Sequence, residues 1–295
     1  MMDFLGIADN SPERIRRLVD LAADVKADPG RFAGRLSGRS VGLFFMKPST
    51  RTRVSSEVGA FQLGAHPVVL RNEEVGIGGR ETVEDVGRVL DRYLDVIAMR
   101  VFEHGHLESI AAVAEAPVVN LLSDTEHPCQ AIADLLTIME HRPGASLAYV
   151  GDGNNVCHSL VVGAAMMGSP VRIATPAGYG PDERFVALAR TFGDVVITND
   201  PAEAVGGVDC VYTDVWTSMG SEAETAQRLA AFEHFTVDER LFGKAAEDAI
   251  FMHCLPAHRG EEVSGPVMEH NRSRVFDQAE NRLHAFKAVL LDILS

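Results

Sequence analysis

The chain has 295 residues, 46% of them hydrophobic, and a mean hydropathy of +0.03. This length and apolar content suffice for one large or two medium α/β domains with a sizeable core. The formal net charge of −15, from 27 basic and 42 acidic residues, argues against nucleic acid or an anionic membrane surface as a partner.

The cysteines are far apart in the sequence and form no CxxC pair; they are Cys129, Cys157, Cys210 and Cys254. This spacing argues against a disulfide framework or a zinc knuckle and favours a reducing, cytoplasmic environment. No charged-then-apolar leader opens the chain, and no apolar run approaches the roughly 18 residues that a membrane span needs. We therefore expect a soluble, unprocessed protein.

In the first half of the chain, strand-like apolar runs alternate with helical patterns. Ser11 caps the first predicted helix, with Pro12 in its first turn. A longer helix is predicted from about His127 to His141. The other predicted elements are strands at 41–45, 67–70, 95–99 and 117–121, and helices with apolar residues at Val54, Val58 and Phe61, at Val83, Val86, Leu90 and Tyr93, and over 107–115.

The breaker Arg142-Pro143-Gly144 is the predicted boundary between two domains. Beyond it, strands and helices continue to alternate, with strands predicted at 147–150, 171–175, 195–197, 209–213 and 249–252. Continuous apolar strands that alternate with helices indicate parallel sheets covered on both faces. The predicted fold is therefore α/β, with two doubly wound parallel-sheet domains.

Polar residues gather where the predicted strands end. In the first half these are the segment 49–53, Arg100 and the segment 127–130, and in the second half 151–155, 214–220 and 253–256. Ligands of parallel sheets bind at the carboxyl ends of the strands. We therefore expect an active site in a polar cleft between the two domains.

The segment Ser49-Thr50-Arg51-Thr52-Arg53 stands where a strand gives way to a helix. A helix start offers unpaired N–H groups and the positive end of the dipole, and the hydroxyls and arginines add further donors and charge. We call this segment the anion cradle. Taken alone, it is also compatible with a capped, solvated helix end.

Several separated motifs resemble the aspartate/ornithine transcarbamoylase family over essentially the whole chain. They are STRTR at 49–53, HPCQ at 127–130, GDGNN at 151–155, DVWTSMG at 214–220, HCLPAHRGEE at 253–262, FDQAENR at 276–282 and the segment Arg80–Leu90. DVWTSMG and HCLPAHRGEE are similar to the ornithine-specific members. The resemblance implies transfer of a carbamoyl group from carbamoyl phosphate to the side-chain amine of L-ornithine, which gives L-citrulline and phosphate without a metal or organic cofactor.

The resemblance also implies roles for individual residues. Carbamoyl phosphate would be held by Ser49, Thr50, Arg51, Thr52, Arg100, His127, Gln130, Cys254, Leu255 and Arg282. Ornithine would be bound by Asn155, Asp214, Ser218 and Met219. Of these, the catalytic residues would be Arg51, Arg100, His127, Asp214 and Cys254, with oxyanion stabilisation more important than base catalysis by His127. The proton acceptor for the attacking amine is not identified, although the leaving phosphate is a candidate.

The family further implies how the chain is organised and assembled. Residues 1–141, joined by a C-terminal helix at about 278–295, would bind carbamoyl phosphate, and residues 142–277 would bind the amino acid. We expect a cytoplasmic homotrimer or a multiple of trimers, in arginine biosynthesis or in a catabolic arginine pathway. The segment 219–222 and its flanks are expected to close over the amino acid.

Alternative functions remain open at this point. A dehydrogenase fits poorly, because a G-x-G-x-x-G motif requires glycine where Val156 stands and no acidic ribose partner follows Thr175-Pro176. A paralogue that uses putrescine, acetylornithine or another amine keeps the same motifs, and a non-catalytic ligand-binding homologue keeps the same fold. Gly76 and Ser56 depart from the family's pattern, since a polar residue and a phenylalanine are expected there.

Overall fold

The computed structural model describes residues 2–77, 80–217 and 224–294, and its strands form two parallel sheets. Contacts between Cα atoms divide the chain into a first unit, Met1–Ala133 with Glu280–Ser295, and a second unit, Asp134–Ala279. Each unit contains one of the sheets. The predicted α/β class with two parallel-sheet domains is confirmed.

The sheet of the first unit has four strands in the order β2-β1-β3-β4 in the described residues. They are β1 Ser40–Phe45, β2 His66–Arg71, β3 Val96–Arg100 and β4 Val118–Leu122. In register, Phe45 of β1 lies opposite Arg100 of β3, so the carboxyl ends of these strands coincide. Strands β1, β3 and β4 were predictable because strands buried on both faces read as continuous apolar runs.

The first unit also contains helices, which alternate with its strands along the chain. They are α1 Pro12–Ala27, α2 Pro29–Phe32, α3 Thr50–Gln62, α4 Asn72–Val75, α5 Val83–Leu90, α6 His104–Ala111, the start of α7 Pro128–His141 and the end of α14 Val275–Leu294. The chain crosses between the two units within α7 and again within α14.

Two predicted helices differ in detail from the structure. In α3 the apolar residues Val54, Val58 and Phe61 are exposed, while Ser56 is buried. The helix predicted through Tyr93 ends at Leu90, and the Tyr93 side chain is 73% exposed. In α3 the helical period did not identify which face is buried, whereas in α5 the predicted helix extended past its observed end.

The sheet of the second unit has five strands in the order β7-β6-β5-β8-β9 in the described residues. They are β5 Leu147–Val150, β6 Val171–Ala174, β7 Val195–Thr198, β8 Cys210–Thr213 and β9 Ile250–His253. The helices are α8 Asn155–Met166, α9 Glu183–Arg190, α10 Pro201–Val205, α11 Thr225–Phe232, α12 Glu239–Phe242 and α13 Gly265–Met268. Val150 of β5 lies opposite Thr213 of β8, which brings the residues after these two strands close together.

Each unit has its own apolar core. In the first unit Phe44, Ile97 and Met99 from neighbouring strands belong to one buried cluster. In the second unit the corresponding cluster includes Val150 and Phe251. Rigid strands buried in this way give fixed positions to the polar residues that follow them.

Within the described residues the cysteines form no disulfide with one another; Cys129, Cys157 and Cys210 are buried and Cys254 is partly exposed. Burial raises the pKa of the Cys129 thiol to about 12, so this side chain stays protonated and packs as a small apolar group. Among the helices in the described residues, none has the length and apolar composition needed to cross a bilayer.

Candidate active site

The anion cradle lies directly after β1, at the start of α3. Ser49 is the N-cap residue, and its Oγ accepts a hydrogen bond from the backbone N–H of Thr52 at 3.2 Å. The helix begins at Thr50. Its first N–H groups have no partner within the helix, and together with the helix dipole they attract an anion.

Arg282 of α14 contacts the cradle. Its Nη2 donates to Thr52 Oγ1 at 3.0 Å, and its Nη1 donates to Gln130 Oε1 on the first turn of α7. The Arg282, Gln130 and Thr52 side chains are all buried. One planar guanidinium therefore fixes a residue of the cradle and a residue of the HPCQ segment at the same time.

His127 is buried beside three arginines. Burial lowers the pKa of its imidazole well below the usual value, and the charges of Arg282, Arg100 and Arg51 lower it further. These electrostatic effects require the four side chains to lie near one another. The imidazole is therefore neutral near pH 7, and it can donate a hydrogen bond to an oxygen without adding charge.

All the predicted carbamoyl phosphate residues except Cys254 and Leu255 lie in the first unit. Arg100 is the last residue of β3 and is buried. Lys47, just before the cradle, is also buried, with its Nζ 4.4 Å from the centre of the Phe102 ring. Basic groups are thus concentrated at one strand edge of an acidic protein.

In the second unit, the strand edge carries Asp214. It follows β8 and is 4% exposed. Its Oδ1 accepts a hydrogen bond from Cys254 Sγ at 2.9 Å, and its Oδ2 accepts one from Asn154 Nδ2 at 2.8 Å. Both oxygens of this carboxylate are therefore oriented by neutral donors, so the negative charge remains available to a cation.

Asn154 is held by the helix that follows it. Its Oδ1 caps α8 by accepting hydrogen bonds from the N–H groups of Val156 and Cys157 at 2.9 and 3.1 Å. The predicted ligand Asn155 is the first residue of that helix. The GDGNN turn therefore places one asparagine against Asp214 and the next at a helix N-terminus.

The HCLP segment is held by a buried His–Glu pair. Leu255 has φ 60°, a left-handed conformation that is unusual for leucine, and its N–H donates to His253 Nδ1 at 2.9 Å. His253 Nε2 therefore carries the ring proton, and it donates to Glu262 Oε1 at 3.1 Å. His253 and Glu262 are completely buried, so they orient the backbone beside Cys254.

One group of side chains at this edge has the composition of a metal site. Ligand atoms of Asp214, His253 and Cys254 lie within 4.8 Å of one another. Both ring nitrogens of His253 are already used by Leu255 and Glu262. A metal ion would have to break one of those hydrogen bonds, so the donor set fits a hydrogen-bonded site better than a metal centre.

Part of the predicted ornithine-binding set lies outside the described residues, and the structure adds an ion pair that the sequence did not predict. The predicted ligands Ser218 and Met219 lie outside the described residues, as does the segment 219–222. The structure adds Asp152 and Arg228, which form an ion pair at 3.0 Å at the same strand edge. Asp152 belongs to the GDGNN motif, but nothing in the sequence pairs it with an arginine 76 positions later.

Both halves of the chain match models of one family. Residues 2–140 match "Aspartate/ornithine carbamoyltransferase, carbamoyl-P binding domain". Residues 143–293 match "Aspartate/ornithine carbamoyltransferase, Asp/Orn binding domain". The two matches together span nearly all of the sequence.

Individual proteins are similar over the same length. The chain is 52% identical to the ornithine carbamoyltransferase of Acidothermus cellulolyticus, covering 99% of this chain and 96% of that relative. It is 48% identical to the ornithine carbamoyltransferase of Anoxybacillus flavithermus, with the same coverage. The solved structure of ornithine carbamoyltransferase from Pyrococcus furiosus superposes with a TM-score of 0.94 at 45% identity, covering 98% of this chain and 96% of that one.

Proposed function

Because the chain belongs to the aspartate/ornithine carbamoyltransferase family, we propose that it transfers the carbamoyl group of carbamoyl phosphate to the side-chain amine of L-ornithine. The observation that carries the proposal is the grouping of Arg51, Arg100 and Arg282 around a neutral His127 beside the anion cradle. These groups match a substrate that has a dianionic phosphate next to a polarisable carbonyl. The products are L-citrulline and phosphate.

Carbamoyl phosphate is assigned to the domain formed by residues 1–141 and about 278–295. Ser49, Thr50, Arg51 and Thr52 hold the phosphate, and the helix N-terminus stabilises the charge that grows on it as it leaves. Arg100, His127 and Gln130 donate hydrogen bonds to the carbamoyl oxygen. Arg282 belongs to the same set because it orients Thr52 and Gln130.

Ornithine is assigned to the domain formed by residues 142–277. Asp214 pairs with an ammonium of the amino acid, since it is a buried carboxylate held by neutral donors. Asn155, Ser218 and Met219 complete the ornithine set. Cys254 and the backbone of Leu255 lie beside Asp214, where they contact the attacking amine and the carbamoyl group.

The reaction is a nucleophilic acyl substitution. The side-chain nitrogen of ornithine attacks the carbamoyl carbon and forms a C–N bond, and the donors around His127 stabilise the oxyanion of the tetrahedral intermediate. The C–O bond to phosphate then breaks, and phosphate leaves with the bonding electron pair. The ammonium form of this amine loses one proton to solvent before the attack, and the proton that the nitrogen loses after the C–N bond has formed is assigned to the departing phosphate. No metal or organic cofactor is required by this sequence of bond changes.

We also propose that the protein is a cytoplasmic homotrimer. The lack of a disulfide among the cysteines of the described residues supports a reducing compartment. The exposed apolar residues Val54, Val58 and Phe61 on α3 support a contact between subunits near the cradle. Light scattering of the purified protein tests the assembly, and a fully active monomer would contradict it.

The function is tested by incubating the purified protein with carbamoyl phosphate and L-ornithine. We expect citrulline and inorganic phosphate to form in a one-to-one ratio, above the rate of spontaneous carbamoyl phosphate breakdown. Phosphate release without citrulline would mean that the donor is bound but that ornithine is not the acceptor. Formation of neither product would remove the proposal.

A further inference from the structure

Two buried carboxylates lie next to each other at the strand edge of the second unit. Asp152 follows β5 and is 8% exposed, and Asp214 follows β8 and is 4% exposed. The two strands are neighbours in register at Val150 and Thr213. Either carboxylate could attract the ammonium group of an amino acid. Binding at only one of them therefore requires that the two carboxylates differ in their charged partners.

Arg228 of α11 makes the two carboxylates different, because it pairs with Asp152. Its Nη1 lies 3.0 Å from Asp152 Oδ2, and both side chains are largely buried. Asp214 instead receives neutral donors from Cys254 and Asn154. Within the described residues, Asp152 has an arginine counter-charge and Asp214 makes no ion pair.

The guanidinium of Arg228 is held from several directions. Its Nη1 also donates to the backbone carbonyl of Trp216 at 2.9 Å, and its Nε donates to Glu224 Oε2 at 3.0 Å. The guanidinium carbon lies 5.1 Å from the centre of the Tyr179 ring. Trp216 comes two residues after Asp214, so Arg228 also fixes the chain as it leaves β8.

We propose that Arg228 is a positioning residue of the amino-acid pocket. Its positive charge neutralises Asp152, so that Asp214 alone pairs with the ammonium of the acceptor. The inference rests on the proposed function, because it concerns the same ornithine pocket. Without Arg228, the Asp152 carboxylate either competes for the ammonium or takes a proton and hydrogen-bonds to Asp214. In either case the pairing between Asp214 and the ammonium of the substrate is weakened.

The electrostatics of Asp152 agree with this role. Burial raises the pKa of the Asp152 carboxyl to about 6, and the nearby charge of Asp214 also acts to raise it, whereas Arg228 acts to lower it. Removing the guanidinium therefore leaves a carboxyl group that readily binds a proton. An asparagine at position 152 has no such charge and no need of Arg228.

The test is a set of variants measured for steady-state kinetics with ornithine and for binding of carbamoyl phosphate. We expect Arg228→Gln to raise the KM for ornithine about tenfold or more, with little change in carbamoyl phosphate affinity, because the cradle belongs to the other unit. We expect the double variant Asp152→Asn/Arg228→Gln to bring this KM back to within about threefold of the wild-type value. Arg190→Gln, which removes an exposed arginine of α9, is the matched control and should change neither quantity.

A purely structural role predicts a different pattern. In that case Asp152→Asn would not rescue Arg228→Gln, and the two substitutions together would be at least as harmful as one; this result overturns the proposal. An ornithine KM in Arg228→Gln within twofold of wild type also overturns it. If Arg228→Gln does not fold, Arg228→Lys serves in its place: because lysine keeps the positive charge that neutralises Asp152, its ornithine KM should stay within about threefold of wild type, and a KM raised tenfold or more would overturn the proposal.

The wild-type protein separates this inference from the proposed function. If wild type makes no citrulline from ornithine, the proposed function fails and the inference fails with it. If wild type makes citrulline and Arg228→Gln behaves like Arg190→Gln, the inference alone fails.

Discussion

Arg282 and Thr52 are 230 residues apart in the sequence, yet Arg282 Nη2 donates to Thr52 Oγ1 at 3.0 Å. The same guanidinium donates to Gln130. The last helix of the chain is therefore part of the proposed carbamoyl phosphate site. The position of the cradle depends on this contact as well as on the strand that precedes it.

Replacing Arg282 by lysine should weaken carbamoyl phosphate binding. Lysine keeps the positive charge, but it cannot reach both Thr52 and Gln130 with one planar group. The loss of a hydrogen bond made by a charged group, about 1.5–3 kcal/mol, corresponds to roughly a tenfold to hundredfold rise in KM. Arg17→Lys, at an exposed arginine that pairs with the nearly buried Asp292, is the control. Equal KM values for both variants would contradict the role of Arg282.

Replacing Arg51 by alanine should abolish carbamoyl transfer without unfolding the protein. Loss of a donor to developing charge costs about a hundredfold or more in kcat. Arg51 is only partly buried, so circular dichroism and the Tm should remain close to wild type. Arg88→Ala removes an exposed arginine paired with Asp85 and should leave the rate unchanged. An Arg51→Ala variant that keeps most of its turnover would remove the cradle assignment.

His127 should make stability depend on pH in a predictable direction. Burial and then three arginines lower its pKa in the folded protein, whereas in the unfolded chain the value is near 6.5. As pH falls through about 6.5, the unfolded state takes up a proton that the folded state resists, so the free energy of unfolding decreases.

Urea unfolding at pH 7.5 and pH 5.5 measures this effect. One pH unit below the unfolded-state pKa, His127 should cost about 1 kcal/mol of stability. His127→Asn should lose less stability than wild type between the two pH values, by about that amount. If the two proteins lose the same free energy, the folded imidazole takes up its proton as readily as the unfolded one, and our description of it as neutral is wrong.

Cys254 should act through the hydrogen bond from its Sγ to Asp214. Cys254→Ala removes this donor, and Cys254→Ser replaces it with a hydroxyl. We expect the alanine variant to raise the ornithine KM and lower kcat by about tenfold or more, and the serine variant to be affected less. Steady-state kinetics with ornithine as the varied substrate compare them. Identical losses in both variants would show that the donor to Asp214 is not what matters.

Much of this architecture could be predicted from the sequence because the inner strands of both sheets are buried on both faces. Such strands read as continuous apolar runs, for example Leu147–Val150, whose predicted and observed bounds coincide. The rule that ligands bind after parallel strands then selected Arg100 and Asp214 as site candidates. The structure places both at the carboxyl edge of their sheets.

Other features depend on tertiary packing that a local pattern does not contain. The exposure of Phe61, at 73%, reflects which side of α3 faces the sheet. The pairing of Arg228 with Asp152 requires α11 to pack beside the end of β5. Gly76 departs from the family's pattern, and the structure gives it φ 74° at the end of α4, a conformation that favours glycine.

The most direct test of the proposed function is acceptor selectivity. Ureido-product formation from carbamoyl phosphate should be measured in parallel with ornithine, putrescine, acetylornithine, lysine and aspartate. We predict strong selectivity for ornithine, because Asp214 and Asn155 are suited to an amino acid with a second amine. Preference for another amine would keep the carbamoyl transfer and contradict the ornithine pocket, and no product with any of the five would contradict the enzyme assignment itself.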